Sequence, residues 1–141
     1  MGNSGGMVAG EFAPRVILVT GGAGFIGCNF VRLLDSRYPE LRIINLDKLT
    51  YAGSQSNLEG LNGAKSGKYR FVQGDICDLP LLQRLFKEEN IDTVAHFAAE
   101  SHVDRSISGP GEFIRTNIEG TYCLLQAARE AWGTRTDVRF H

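Results

Sequence analysis

Eight residues near the start of the chain have the makings of an anion cradle. Thr20-Gly21-Gly22-Ala23-Gly24-Phe25-Ile26-Gly27 contains both Gly22-x-Gly24-x-x-Gly27 and Gly21-x-x-Gly24-x-x-Gly27. A turn that seats a pyrophosphate needs a residue free to take positive φ, backbone that the phosphate can approach without meeting a Cβ, and a glycine that lets the next helix pack closely. The anion then rests on free N–H groups at the helix N-terminus. Alone, such a loop is equally a flexible connection. Here the β-branched run Val16-Ile17-Leu18-Val19-Thr20 precedes it, and helical spacing of Ile26, Phe30, Leu33 and Leu34 follows. Strand, glycine turn and helix together read as a dinucleotide-binding unit, with Gly21, Gly24 and Gly27 at its centre.

Asp47 lies 20 residues past Gly27, at the end of the second apolar run. A carboxylate there can accept hydrogen bonds from adenosine ribose hydroxyls; the alternative is a solvated strand-end Asp. A 2′-phosphate beside that carboxylate would be repelled by roughly 4 kcal/mol per pair of unit charges at ~4 Å and an effective dielectric near 20. Lys48 next to it is placed to offset part of this, and the balance favours NAD over NADP. Asp75, in Gly74-Asp75-Ile76, is either a partner for the adenine edge or a cap or turn residue before the helix near Leu79. The run Phe97-Ala98-Ala99-Glu100-Ser101 puts small residues at the end of a strand, which suits close approach of a ribose and suits tight packing almost as well. His102, Asp104 and Arg105 have the types for a proton relay; a polar strand-to-helix loop is the less demanding account. Thr116 and Asn117 fall early in a long helical pattern, where polar groups face either a ligand or solvent.

The elements that must position these residues are legible from periodicity. Four apolar runs, Val16–Thr20, Arg42–Leu46, Tyr69–Gln73 and Thr93–Phe97, read as strands buried on both faces, and Val138-Arg139-Phe140-His141 as the opening of a fifth. Helical spacing separates them: Ile26 to Leu34, then Leu81 to Phe86, then a single helix from about Glu112 to Trp132. That last helix carries Phe113, Ile114, Ile118, Leu124, Leu125, Ala128 and Trp132 as a stripe suited to core or subunit contact. Thr50 to Lys68 is a loop or a short helix. Alternation of strand and helix predicts an α/β fold, a Rossmann-like doubly wound parallel sheet, broken off in or after its fifth strand.

Composition narrows the function classes. The 141 residues suit one domain. Fifteen basic against 16 acidic residues leave a net charge of −1, which argues against nucleic-acid binding through counterion release. Seventeen glycines with only 4 prolines point to local backbone work rather than linker. Cys28, Cys77 and Cys123 are widely spaced and lack a CxxC pair, as expected of small apolar residues in a reducing compartment rather than of a metal or redox site. No run reaches the ~18 apolar residues of a membrane span, and the N-terminus is no secretory signal. Residues 1–14 are expected to be a disordered extension, residues 15–141 the nucleotide-binding domain, and the setting cytoplasmic.

Between Arg15 and His141 the chain resembles the extended short-chain dehydrogenase/reductases, and among them the dTDP-glucose 4,6-dehydratases. The glycine turn would suit any sugar-nucleotide enzyme of that group. Asn45-Leu46-Asp47-Lys48-Leu49-Thr50-Tyr51-Ala52-Gly53, Gly74-Asp75-Ile76-Cys77-Asp78 and Ala98-Ala99-Glu100-Ser101-His102-Val103-Asp104-Arg105-Ser106 are more specific, as is Thr116-Asn117-Ile118-Glu119-Gly120-Thr121. The resemblance implies that Phe25 and Ile26 line the pyrophosphate turn, that Asp47, Lys48, Leu49 and Thr50 hold the adenosine ribose, and that Asp75 and Ile76 meet adenine. It implies that Phe97, Ala98, Ala99, Glu100 and Ser101 hold the nicotinamide-side ribose, that Thr116 also contacts NAD, and that Ser101 reaches the sugar nucleotide. The implied reaction oxidises C4 of dTDP-glucose by hydride transfer to NAD, eliminates water across C5 and C6, and returns the hydride to C6. It also implies a homodimer built on helices that include residues 112–132. The family's Thr-Asp-Glu acid and base and its Tyr-x-x-x-Lys pair fall after position 141, so residues 1–141 alone are expected to be inactive and poorly soluble. Other readings are an NAD-dependent epimerase or decarboxylase acting on another sugar nucleotide, or a non-catalytic dinucleotide sensor.

Overall fold

The computed structural model describes residues 12–51, 53–101 and 103–141, apart from the Arg105 side chain. Most of the expected N-terminal extension, residues 1–11, lies outside that set; within it, the Arg139 guanidinium sits 4.6 Å above the Phe12 ring. Five strands form one parallel sheet: β1 (Val16–Thr20), β2 (Arg42–Asp47), β3 (Tyr69–Gln73), β4 (Thr93–His96) and β5 (Arg139–Phe140). Their order is β3-β2-β1-β4-β5. The chain moves outward from β1 to β3 and then crosses to the far side of β1, which leaves a crevice at the carboxyl ends of β1 and β4. In open α/β sheets that reversal is where ligands bind.

Side chains alternate across the sheet and both faces of its inner strands are covered, which is why β1, β2 and β4 are nearly continuous apolar runs; β3, expected to be buried on both faces, is an edge strand with Arg70 and Gln73 exposed. Leu18, Ile44, Leu46 and Val94 pack against Leu82 and Leu85 of α3 (Leu79–Glu89) and Leu124 and Ala127 of a later helix, Thr121–Trp132. Ile17, Val19, Ile43 and Ala95 face the other way, onto Val31 and Leu34 of α1 (Phe25–Arg37) and onto Leu58 and Leu61. Each fully buried Leu or Ile contributes roughly 1.5–3 kcal/mol. At the opposite end from the crevice, buried Asp92 accepts from the Arg15 N–H (3.1 Å), the Val16 N–H (3.4 Å) and the Thr93 hydroxyl (2.8 Å), pinning the start of β1 to β4.

Between positions 50 and 68 lie a 3-10 turn, Gln55–Leu58, and the short α2 (Asn62–Ser66). The single helix expected over 112–132 is instead α4 (Val103–Ser108) followed by α5 (Pro110–Ile114), a π-helical turn Arg115–Gly120, and α6 (Thr121–Trp132). Proline at the first position of α5 explains the earlier start. Trp132, partly buried, packs against the core: its ring meets Phe86 edge-on at 5.7 Å and its indole N–H donates to the Ile91 carbonyl at 2.7 Å.

Candidate functional site

The turn between β1 and α1 is shaped by its glycines. Gly21 has φ +71°, and a Cβ there would lie 2.6 Å from the Ala98 backbone nitrogen, so the turn is clasped against the chain leaving β4. At Gly27 a Cβ would strike the Gly21 carbonyl oxygen and lie 2.8 Å from Gly22 Cα, which sets how closely α1 approaches the turn. Gly24 is different. A Cβ on it would meet nothing in the chain nearer than the Gly21 carbonyl at 3.4 Å. Gly24 is the N-cap of α1, no side chain caps that end, and the first turn carries no acidic residue. The free N–H groups and positive end of the dipole therefore face outward over a glycine that the fold itself does not require, a cradle that a Cβ would fill.

A cleft of about 350 Å³ opens over this turn. Gly21, Gly24, Phe25, Ile26 and Gly27 form its floor; Asp47, Lys48 and Thr50 reach it from the end of β2, Asp75 and Ile76 from the end of β3, and Phe97, Ala98, Ala99, Glu100 and Ser101 from the end of β4. Thr116 joins them from the π-helical turn, and Leu46, Gly53 and Gly74 complete the wall. Phe25 and Ile26, 82% and 68% exposed, present bare apolar faces beside the cradle. Leu49 alone among the expected contacts is not on the wall. It has φ +57°, packs against the α1 side of the core, and its N–H donates to Asp47 Oδ1 at 2.8 Å.

Two carboxylates organise one end of the cleft. Asp47 Oδ2 accepts from the Ala23 N–H at 2.9 Å, so the end of β2 is tied directly to the glycine turn. With each oxygen holding one backbone N–H, the carboxylate keeps lone pairs for further donors. Asp75 Oδ1 accepts from the Cys77 N–H at 2.9 Å, while Oδ2 takes the Lys48 ammonium at 2.9 Å and has Arg115 Nη2 at 4.0 Å. Partial burial opposes the charge on Asp75, but the Cys77 N–H and Lys48 outweigh it and hold the carboxyl below its ordinary range. The same hydrogen bond raises the Lys48 pKa. Asp75 thus closes a turn as well as facing the cleft, whereas the cap of α3 is Asp78, whose carboxylate accepts from the Leu81 N–H at 3.0 Å. Lys48 is engaged by Asp75, not left to offset Asp47.

The segment after β4 is held from two sides. The Ala98 N–H donates to Thr20 Oγ1 at 3.3 Å, and Thr20 Oγ1 lies 2.7 Å from His96 Nδ1. On the far side of the ring, His96 Nε2 lies 2.9 Å from Thr121 Oγ1, which in turn donates to the Asn117 carbonyl at 2.9 Å. Because the Thr121 hydroxyl proton is used on Asn117, its oxygen must accept from His96, so the network assigns the neutral Nε2–H tautomer. Burial pushes the His96 pKa down in the same sense. The Phe97 ring packs on Phe30 with centroids 5.2 Å apart, and the Tyr51 hydroxyl donates to Glu100 Oε2 at 3.3 Å.

His102 and the Arg105 side chain lie outside the described residues, and Asp104 is exposed on α4 away from the wall of the cleft. Among the described residues no group of three His, Cys, Asp or Glu side chains could hold a metal ion, and none of the three cysteines is paired. Sequence reasoning passed over Thr20, His96 and Tyr51. Thr20 and His96 end adjacent parallel strands in register, a pairing that strand prediction alone does not supply.

Residues 18–141 match the sequence family described as GDP-mannose 4,6 dehydratase. The dTDP-glucose 4,6-dehydratase of Xanthomonas campestris pv. campestris (strain B100) is 54% identical over 122 residues, covering 86% of this chain and 34% of that protein. Dehydratase 1 of Escherichia coli (strain K12) is 48% identical over 130 residues, 89% of this chain and 35% of that one. The chain thus spans about a third of the length of the curated relatives it matches. In structure it resembles the dTDP-glucose 4,6-dehydratase DesIV of Streptomyces venezuelae with NAD bound, at TM-score 0.73 and 51% identity over 82% of this chain and 36% of that one. The NAD-bound UDP-glucose-4-epimerase of Stenotrophomonas maltophila also gives TM-score 0.73, at 36% identity over 83% of this chain and 34% of that one. With glycine turn, switch-point cleft and family match in agreement, this chain belongs to the GDP-mannose 4,6 dehydratase family.

Proposed function

We propose that the cleft binds NAD and that the chain forms the cofactor-binding part of a dTDP-glucose 4,6-dehydratase. The observation that carries the NAD reading is the open cradle at Gly24, where the uncapped N-terminus of α1 faces a space that only glycine leaves free. The pyrophosphate is assigned to that cradle, with Phe25 and Ile26 beside it, the adenosine ribose to Asp47, Lys48 and Thr50, and adenine to Asp75 and Ile76. Leu49 acts from behind the wall by fixing Asp47. Phe97, Ala98, Ala99, Glu100, Ser101 and Thr116 are assigned to the nicotinamide half, with Ser101 also facing the sugar nucleotide. Bound NAD would supply the hydride acceptor for C4 of the sugar and return the hydride to C6. The chain's own residues bind and orient, and we assign none of them to proton transfer.

Identity to the dehydratases favours dTDP-glucose over another sugar nucleotide. The equal TM-scores against dehydratase and epimerase mean that the backbone does not choose between them. We further infer a homodimer: Ile114, Ile118, Tyr122 and Leu125, each 47% to 66% exposed, form an apolar stripe along α5 to α6 of the kind that marks a subunit contact. Three unpaired cysteines and the lack, among the described residues, of a helix long and apolar enough to cross a membrane support a cytoplasmic setting. Balanced charge supports a small-molecule partner rather than nucleic acid.

The test is calorimetric titration of the natural polypeptide carrying this sequence with NAD, then assay with dTDP-glucose and UDP-glucose. Saturable NAD binding with dehydration of dTDP-glucose is expected. Epimerisation of UDP-glucose without dehydration would overturn the substrate assignment, and absence of NAD binding would overturn the cofactor assignment.

A further inference from the structure

We propose that Asp75 is a cofactor-specificity residue, which excludes the 2′-phosphorylated dinucleotide by pairing away Lys48 on the cleft wall and drawing Arg115 to the same carboxylate. The proposal rests on the NAD reading above and adds a second layer of discrimination to Asp47. Lys48 directly follows Asp47 and lines the same wall, so it is the cation a 2′-phosphate would recruit. Its ammonium is instead 2.9 Å from Asp75 Oδ2, and Arg115 Nη2 stands 4.0 Å from the same oxygen. Asp75 cannot easily turn away, because its other oxygen holds the Cys77 N–H at 2.9 Å. Glu112 adds further negative potential at both cations. Asp75 and Glu112 thus both draw on Lys48 and Arg115, while Asp47, held by the Ala23 and Leu49 N–H groups, keeps its own negative charge on the cleft wall.

This arrangement separates two effects. Loss of the Asp47 charge alone leaves both cations committed to Asp75, so Asp47→Asn by itself should admit the 2′-phosphate poorly. Loss of the Asp75 charge releases them. Asp75→Asn retains an oxygen for the Cys77 N–H, so the turn and the fold are preserved.

The experiment measures the affinities of NAD and NADP for the natural polypeptide carrying this sequence and for D75N, D47N, D47N/D75N and D75N/K48M. D75N is expected to raise the NADP-to-NAD affinity ratio roughly twofold to fivefold, the size of one screened charge pair near a surface. D47N/D75N should raise it further, D75N/K48M should lose the gain, and 1 M salt should shrink it. A role confined to adenine would weaken both cofactors by one factor and leave the ratio unmoved. That result in D75N, with NAD still bound by the unmutated protein, overturns this proposal alone; no NAD binding by the unmutated protein overturns the site reading and this proposal with it.

Discussion

Asn117 and Glu100, 17 positions apart, exchange two hydrogen bonds: the Glu100 N–H donates to Asn117 Oδ1 at 2.8 Å, and Asn117 Nδ2 donates to the Glu100 carbonyl at 3.0 Å. The amide mimics a neighbouring strand and fixes the backbone in the middle of the cleft segment 97–101. The π-helical turn puts Asn117 there while Thr116 faces the cleft, and such turns recur at functional sites. Asn117→Ala removes both bonds from a partly exposed loop, at a cost of about 1 kcal/mol in stability. The larger effect should fall on NAD, whose affinity is expected to drop roughly fivefold to tenfold as the segment loosens. Asn117→Asp keeps the acceptor and loses the donor, so it should not restore binding. Titration calorimetry with thermal melts decides, and unchanged NAD affinity in N117A would remove this positioning role.

The glycine turn offers a paired test. Gly27→Ala drives a methyl into the Gly21 carbonyl and against Gly22 Cα, backbone that has nowhere to go, and should cost about 1–3 kcal/mol in stability. Gly24→Ala meets nothing nearer than 3.4 Å and leaves ordinary φ and ψ of −75° and 173°, so only about 0.5–1 kcal/mol should be lost from the cap. Its methyl would occupy the anion cradle, and NAD affinity should fall at least about tenfold. Melting curves and NAD titrations on both variants check the pair; a stable G24A that binds NAD normally would show that the cradle is not where the phosphate rests.

How much of this was readable beforehand follows from what each residue depends on. Strands β1, β2 and β4 were legible because both faces of the sheet are covered there, which makes the runs largely apolar, whereas β3 was legible as a strand but not as an edge, where Arg70 and Gln73 are exposed. The cleft residues from Gly21 to Gly27 were legible because spacing along the chain dictates their geometry. The position of Leu49 off the cleft wall was not legible because residue type does not reveal its positive φ, with the side chain packed on the core and the N–H on Asp47. The engagement of Lys48 by Asp75 joins the ends of two different strands, and no local pattern announces such a pair. The π-helical turn was hidden for a related reason: residue type in Arg115–Gly120 does not separate α from π winding, and the partner of its Asn117, Glu100, lies in the distant loop after β4.

The tautomer of His96 makes a pH prediction. The ring faces Thr20 and Thr121 hydroxyls on its two nitrogens and the Phe140 ring at 6.4 Å, and burial depresses its pKa below the ordinary 6.5. Below pH 6.5 the unfolded chain takes up a proton that the native ring resists, so the unfolded state binds more protons and stability falls with falling pH, by at most about 1.4 kcal/mol per pH unit. Glu89 acts lower. Arg42 hydrogen-bonds it at 2.6 Å and holds its carboxyl below 4.5, so the stabilisation is complete above that value and is lost as pH falls beneath it. Urea midpoints between pH 7 and 5 should therefore slope downward for the parent and less steeply for His96→Gln. Parallel slopes would mean that the ring titrates alike in both states.

The apolar stripe predicts the consequence of a single charge. Ile118 is 66% exposed at the centre of the stripe, so Ile118→Asp should leave the fold of one subunit nearly untouched. In a subunit contact the same carboxylate would be buried without a partner, which costs several kcal/mol and shifts the association equilibrium by orders of magnitude. Leu33→Asp, on α1 and 51% exposed, is the control, because it adds the same charge away from the stripe. Sedimentation velocity on the natural polypeptide should show a dimer for the parent and for L33D, and a monomer for I118D. A dimer that survives I118D at low micromolar concentration would place the contact on another face.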